Sequence, residues 1–227
     1  MIIALCGPAR SGKDTVADVL TEFFGANKVA RIQIAGPLKR CCREVFDWTE
    51  EHTDGSLKDV PDERYPRPCP KCTTGFYIDE MGPCPVCKGA GITYLTPRHA
   101  MQQLGGEFAE ATFPPIYAVA AARAAHRHSV DVGVAIVTDC RFVRDIQAVK
   151  DVGGIIIQVH RQAVEELIGA GAAHGSELAG TTPEFLALVD HHIHNDGTLN
   201  DLQDNVVNLL VTHLNRILEG SKTPPEA

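Results

Sequence analysis

An unbroken apolar run at residues 2–6, IIALC, stops at a glycine loop, and helical spacing starts directly after it. No other stretch restricts the possible folds as strongly. Such a run suits a strand buried on both faces, as in a parallel sheet. After Lys13 the apolar residues Val16, Val19, Leu20, Phe23 and Phe24 recur on one helical face, and Gly25 ends the pattern. Between them lies GPARSGKDT, residues 7–15, where Gly7, Gly12 and Lys13 keep the spacing G-x-x-x-x-G-K. In this strand–loop–helix context the loop turns backbone N–H groups toward phosphates, the helix start adds positive charge, and the lysine reaches the outer phosphates. The next position ordinarily holds a hydroxyl that touches magnesium; here it is Asp14, with Thr15 one place on.

The pattern then alternates. Residues 29–35 predict a strand, and 36–48 a helix with Pro37 near its start. Helical spacing returns at 97–108, where Met101, Leu104 and Phe108 are expected on one face, and an Ala-rich helix is expected over about 114–127. VGVAIVTDCR predicts a buried strand ending at Asp139 and Arg141, 143–151 a helix, and GGIIIQVHR another strand. A loose segment at 162–183 precedes DHHIHNDG, read as the last strand and its turn. Thr198 and Asp201 form a capping-box-like start for a closing helix with Leu202, Val206, Leu209 and Leu210 inward. Strands alternating with helices give the expected fold class: α/β, a five-stranded parallel sheet covered on both faces.

At 227 residues the chain has room for one such core and an inserted subdomain. The net charge of −8 argues against nonspecific nucleic-acid binding. No stretch reaches the roughly 18 apolar residues of a membrane span, and no secretory leader is read at the start, so a cytoplasmic protein is expected. Its eight cysteines would then stay reduced. Residues 49–95 break the pattern: Pro, Gly, Asp and Cys dominate and periodicity vanishes. Within them, Cys69 and Cys72 form one Cys-x-x-Cys pair and Cys84 and Cys87 a second, with eleven residues between. Two such pairs make a tetrahedral zinc site, closed to water and therefore structural. Cys6, Cys41, Cys42 and Cys140 read as small core residues. His191, His192 and His194 look like ligands on paper, but strand neighbours point to opposite faces, so they read as edge histidines.

Taken in order, RSGKDT, IAGPLK, PRHAMQQLG, VTDCRF with Asp145, VHR, HGSE and NDGTLNDL resemble the phage-type deoxynucleoside monophosphate kinases. The resemblance covers about 1–45 and 96–219. It implies a P-loop kinase core over 1–48 and 96–227, a short lid at about 162–183, and a zinc-binding insertion at 49–95 on the acceptor side. ATP and magnesium are the implied cofactors, nucleotides the implied partners, and a homodimer a plausible assembly. ATP contacts fall on Gly7, Arg10, Ser11, Gly12, Lys13, Asp14, Thr15, Asn195 and Gly197. Acceptor contacts fall on Arg98, Gln102, Asp139 and Arg141; magnesium goes to Asp14 and Asp139. Lys13, Arg98, Arg141 and Arg161 supply the cations that phosphoryl transfer between two anions requires. His174, Ser176 and Glu177 match the lid motif without an evident role. Two other readings stay open: a kinase of another small molecule such as dephospho-coenzyme A, and a noncatalytic zinc-knuckle interaction protein.

Overall fold

The computed structural model describes residues 1–72, 82–167 and 179–220, with side chains of the last helix described through 213. The chain divides into two compact units, Met1–Gly36 with Pro115–Ala227, and Pro37–Pro114. The lid residues His174, Ser176 and Glu177 lie outside the described residues.

The first unit is built on a five-stranded sheet of β1 (Ile2–Cys6), β2 (Val29–Ile32), β5 (Val134–Cys140), β6 (Ile155–His160) and β7 (His191–His194), in the order β2-β5-β1-β6-β7. Every pairing is parallel. Strand β2 is shorter than the sequence suggests, leaving the sheet after Ile32. The central strand β1 is fully buried, which explains its unbroken apolar run.

Helices cover both faces. On one side Ile3, Leu5, Ile136, Ile157 and Val159 pack against α1 (Lys13–Phe24) and α10 (Leu199–Gly220), through Val16, Leu20, Leu202, Val206 and Leu210. On the other side Ile2, Ala4, Val137 and Ile156 meet Ala125 of α6 (Ile116–Asp131) and Ile146 and Val149 of α7 (Val143–Lys150). Phe185, fully buried on that face, belongs to α9 (Pro183–Leu186) and closes the core. The period-2 alternation of β1 sends odd and even residues to the two cores. The capping box at Thr198 and Asp201 forms as expected, with the Thr198 N–H donating to Asp201 at 2.7 Å.

Between β1 and β5 the register slips: Ala4 faces Val137, but Cys6 faces Cys140. One extra residue thus bulges from β5 beside Asp139. Bulges of this kind re-aim side chains at strand ends.

The second unit has regular elements even over 49–95, where the sequence shows no periodicity. It holds α2 (Gly36–Phe46), a short α3 (Glu50–Thr53), a 3₁₀ turn (Ser56–Asp59), the antiparallel hairpin β3 (Asp62–Pro68) and β4 (Ile92–Leu95), and α4 (Pro97–Gln103). A two-stranded ribbon has edges everywhere, so Pro66 and Pro68 are tolerated in β3. An aromatic cluster replaces hydrophobic periodicity. Phe46 stacks on Trp48 with centroids 4.4 Å apart, Tyr65 meets Phe46 edge-on, and the Trp48 Nε1–H donates to Asp62 at 2.7 Å. Clusters of a few aromatic residues leave no period to detect.

The helix after Arg98 also departs from expectation. α4 gives way to a π-helical turn at Leu104–Phe108 before α5 (Ala109–Thr112). A π turn inserts residues without keeping the 3.6 phase. Met101 is therefore buried while Phe108, expected on the same face, is 48% exposed.

Candidate active site

The loop after β1 is shaped by two glycines that nothing else could replace. Gly7 has φ +131°, and a Cβ there would overlap the Val159 carbonyl oxygen and crowd Ser11 Oγ at 3.2 Å. Gly12 has φ +99°, and its Cβ would overlap the side-chain amide of Asn195. Both lie in the region that favours glycine. Arg10 shares the strained geometry at φ +65°. The loop's close approach to β6 and to the 195 turn follows from these two absent Cβ atoms.

The 195 turn is tied into the loop. Asn195 Nδ2 donates to the Ser11 carbonyl at 2.9 Å, and Arg161 Nη1 approaches the Arg10 carbonyl at 3.5 Å. Asn195 N–H in turn donates to the His160 carbonyl at 2.9 Å. The structure thus assembles Gly7, Arg10, Ser11, Gly12, Asn195 and Arg161, drawn from opposite ends of the chain. Gly197 has a different neighbour: a Cβ there would press on Asp201 at 2.6 Å, so this glycine makes room for the cap of α10.

Lys13 Nζ donates to the carbonyls of Gly7 and Pro8 at 2.9 and 2.5 Å, curling over the loop it follows. Asp14 is exposed in the first turn of α1, where the helix end favours a carboxylate; Thr15 is half-buried. Ser11 is fully buried, and its Oγ finds no hydrogen-bond partner among the described residues. A buried hydroxyl without a partner is costly, which marks the loop as the place where a further polar group is accommodated.

Asp139 accepts hydrogen bonds from the N–H groups of Ile34 (2.5 Å) and Ala35 (3.3 Å). Its carboxylate therefore fastens the chain where it leaves β2. Arg141 is exposed, and its backbone N–H donates to Asp145 at 2.9 Å. Asp145, buried at the start of α7, also accepts from Phe142 N–H at 3.0 Å. Burial pushes its carboxyl above the ordinary range, and those two N–H bonds work in the other direction. Asp145 fixes the turn that carries Arg141.

In the second unit, Thr96 caps α4 through the His99 N–H, and Pro97 occupies its first turn. Arg98 grips Asp59 of the 3₁₀ turn with Nε and Nη2, at 2.5 and 2.8 Å. Lys39 and Arg43 of α2 both meet Asp54, which follows α3. Lys58 precedes Asp59 in the 3₁₀ turn; burial lowers its ammonium pKa, and the Arg98 and Lys39 charges lower it further. Of these cations the sequence reading singled out Arg98, and the ion pairs of Lys39 and Arg43 with Asp54 emerge only from the structure.

On another side of α4 a cavity of about 280 Å³ is lined by Cys41, Val45, Phe46, Leu95 and Ala100, with Arg67, His99 and Gln103 as polar points. Gln103 reaches this cavity, whereas Gln102, expected to contact a base, is exposed. One residue along a helix turns a side chain by about 100°. Cys41, expected in the core, is exposed here; Cys6, Cys42 and Cys140 are buried as expected.

The four paired cysteines converge. The Sγ atoms of Cys69, Cys72, Cys84 and Cys87 all lie within 4.8 Å of one another, and Cys69, Cys84 and Cys87 are buried. The Cys69–Cys84 and Cys72–Cys87 separations are 3.9 and 3.4 Å. Tetrahedral zinc with about 2.3 Å bonds requires sulfurs roughly 3.8 Å apart, so the set fits zinc. Burial pushes the Cys87 thiol up, but the neighbouring Cys72 sulfur and the N–H groups of Gly91 and Gly89 bring it down to about 7. That favours the thiolate a metal needs. Lys88, Gly89 and Gly91 take positive φ to close this knuckle.

The histidines share the sheet edge unequally. His160 Nε2 and His192 Nδ1 are 2.8 Å apart, His194 stacks on His160, and Glu165 of α8 (Gln162–Leu167) reaches His160 Nδ1 at 2.7 Å. His191 turns to the opposite side and meets His213 at 3.1 Å. Among the described residues, only the four cysteines form a metal-ligand group, and no helix is long and apolar enough to cross a membrane.

No protein-family model matches this chain, and no curated protein sequence matches it either. Among solved structures it is similar to shikimate kinase from Acinetobacter baumannii in complex with shikimate, at 13% identity over 93% of each chain and a TM-score of 0.47. Shikimate kinase from Aquifex aeolicus gives 14% identity over 96% of this chain and 99% of that one, with a TM-score of 0.47. Dephospho-CoA kinase from Campylobacter jejuni gives 13% over 92% and 94%, with a TM-score of 0.43. Likenesses this distant assign no substrate. The chain's own sheet order, with a phosphate-type loop between β1 and α1, gives it the α/β fold of a P-loop kinase.

Proposed function

We propose that this protein transfers the γ-phosphoryl group of ATP to the phosphate of a deoxynucleoside 5′-monophosphate, giving the diphosphate and ADP. The observation that carries the reading is the loop itself: Gly7 and Gly12 without room for a Cβ, the orphaned Ser11 hydroxyl, Lys13 folded over the loop, and Asn195 bracing it. The motif order quoted above supports the choice of acceptor, as does a second unit that offers Arg98 at the start of α4 and an apolar cavity beside that helix.

In this reading the loop N–H groups, Ser11 and Lys13 hold the triphosphate, and Arg10, Asn195 and Gly197 border the nucleoside. Asp14 and Asp139 are the carboxylates that would hold magnesium, which when bound neutralises the β and γ oxygens. The acceptor phosphate is already ionised near pH 7, so no general base is needed; Arg98, Arg141 and Arg161 gather the charge of the transfer. The acceptor base occupies the cavity beside His99, Arg67 and Gln103. Zinc on Cys69, Cys72, Cys84 and Cys87 is structural, since four thiolates leave no open position. Residues 49–95 form the zinc insertion on the acceptor side, and 162–183 the lid.

The test is a panel of deoxy- and ribonucleoside monophosphates, with dephospho-coenzyme A and shikimate, each incubated with ATP and magnesium. A nucleoside diphosphate formed with ADP supports the reading. Turnover confined to another acceptor replaces the substrate, and no turnover with any of them refutes the enzyme assignment.

A further inference from the structure

The four-cysteine knuckle is uneven. Cys69, Cys84 and Cys87 are buried, Cys84 completely, while Cys72 is partly exposed. Cys72 Sγ lies 3.4 Å from Cys87 Sγ, closer than the 3.9 Å between Cys69 and Cys84. Sulfurs sharing one tetrahedral zinc sit roughly 3.8 Å apart, so the accessible sulfur is also the one crowded against a buried neighbour. The Gly91 N–H holds that neighbour, donating to Cys87 Sγ at 3.3 Å. Exposed lysines flank the pair in the chain, Lys71 just before Cys72 and Lys88 just after Cys87. Reactive cysteines sit in partly exposed, electropositive surroundings, whereas buried structural ones are inert.

We propose that Cys72 and Cys87 form a peroxide-sensitive pair, through which an oxidant empties the knuckle and loosens the hairpin that it closes. The Cys72 thiolate takes one oxygen from hydrogen peroxide; the O–O bond breaks, and the other oxygen takes up a proton and leaves as water. The Cys87 thiolate then attacks the Cys72 sulfur. The S–S bond forms, the S–O bond breaks, and a second water leaves with a second proton. The two cysteines lose two electrons and the peroxide gains them. Cys69 and Cys84 remain, and two thiolates do not make a closed four-sulfur site. The change is carried along the hairpin. Cys69 N–H donates to the Gly91 carbonyl at 2.9 Å, closing the hairpin just before β4. At its other end, Arg67 of β3 and Leu95 of β4 line the cavity beside α4. The Gly7–Gly12 loop belongs to the other unit. Oxidation therefore alters the acceptor pocket and spares the ATP loop. This last step rests on the nucleotide-kinase reading, and the chemistry at the sulfurs does not.

The test treats the zinc-replete full chain with hydrogen peroxide. A chromogenic chelator reads released zinc, and peptide mass mapping reads the disulfide. Cys41, exposed and outside the knuckle, is the internal clock for general thiol oxidation. Wild type should release its zinc before Cys41 is oxidised, with Cys72 joined to Cys87, and a dithiol with added zinc should reverse both. Cys72→His keeps four ligands and removes the accessible sulfur, so its zinc release should be about tenfold slower. Lys71→Glu leaves all four sulfurs in place; it serves if the histidine variant holds no zinc, and should also slow release. Cys41→Ser should release zinc as wild type does. Zinc retained after Cys41 is fully oxidised overturns the switch, as does a disulfide within either Cys-x-x-Cys pair. For the acceptor that the monophosphate panel identifies, oxidation should raise KM and leave the affinity for a fluorescent ATP analogue unmoved; an unchanged KM overturns the coupling to the cavity. Absence of turnover with every acceptor refutes the kinase reading instead, and zinc release still decides the switch.

Discussion

The side-chain amide of Asn195 donates to the backbone carbonyl of Ser11 at 2.9 Å, joining positions 184 residues apart. The turn after the last strand thereby holds the loop after the first. Gly12 makes this possible, because a Cβ at that position would strike the same amide. Gly12→Ala should therefore cost at least tenfold in ATP affinity, and Asn195→Ala a smaller loss, since each disturbs the loop by a different route. Titration of a fluorescent ATP analogue measures both. Unchanged affinity in Gly12→Ala contradicts the nucleotide assignment of this loop.

Lys13→Ala should lower kcat by roughly 10²–10³-fold, the scale for removing one charge-stabilising donor, and leave zinc content and folding intact. Lys13 Nζ donates to the Gly7 and Pro8 carbonyls of its own loop. Steady-state kinetics beside metal analysis separates a catalytic defect from a structural one. A kcat within a few-fold of wild type contradicts the role of Lys13.

Protein purified without added metal should contain one equivalent of zinc, and Cys84→Ser should contain less than half. Cys84 is fully buried in the cluster, so the variant should also lower the melting temperature. Chelation of the wild type should reproduce that loss. Zinc content that is unaffected by Cys84→Ser contradicts the four-sulfur site.

His192 predicts a pH effect in the first unit. Burial, and then the neighbouring His160 and His194, lower its pKa below the ordinary 6.5. Below pH 6.5 the unfolded chain takes up a proton that the folded edge resists, so stability is present above that pH and falls as the pH drops toward the folded value. Glu165 meets the other side of the His160 ring, at Nδ1. The melting temperature of wild type minus that of His192→Gln should be level from pH 8 to 7 and decline from about 6.5 downward. The effect is small because the ring is exposed. A difference that is flat to pH 5 contradicts it.

The first unit was legible because its signals are local. A buried strand, a glycine loop and an amphipathic helix each announce themselves within a dozen residues, and Leu202, Val206 and Leu210 kept helical phase into the core. The second unit hid for physical reasons. Trp48, Phe46 and Tyr65 order it through three rings and no period, and the π turn at Leu104–Phe108 shifted Phe108 out of the predicted face. Long-range choices were also invisible: which of two adjacent glutamines meets the cavity, and that Asp59 would find Arg98. Spacing located Arg98 as a candidate, but only three-dimensional placement paired Lys39 and Arg43 with Asp54. The histidine run showed the limit of pattern from the other side, since His192 and His194 face His160 while His191 faces away.

The most direct measurement follows the phosphoryl group itself. ATP labelled on its γ-phosphate is incubated with magnesium, the protein and each deoxynucleoside monophosphate in turn, and the label is traced by chromatography. The account predicts label in the β-phosphate of a deoxynucleoside diphosphate, lost in Lys13→Ala. Label found only in inorganic phosphate, or remaining in ATP with every acceptor, would contradict it.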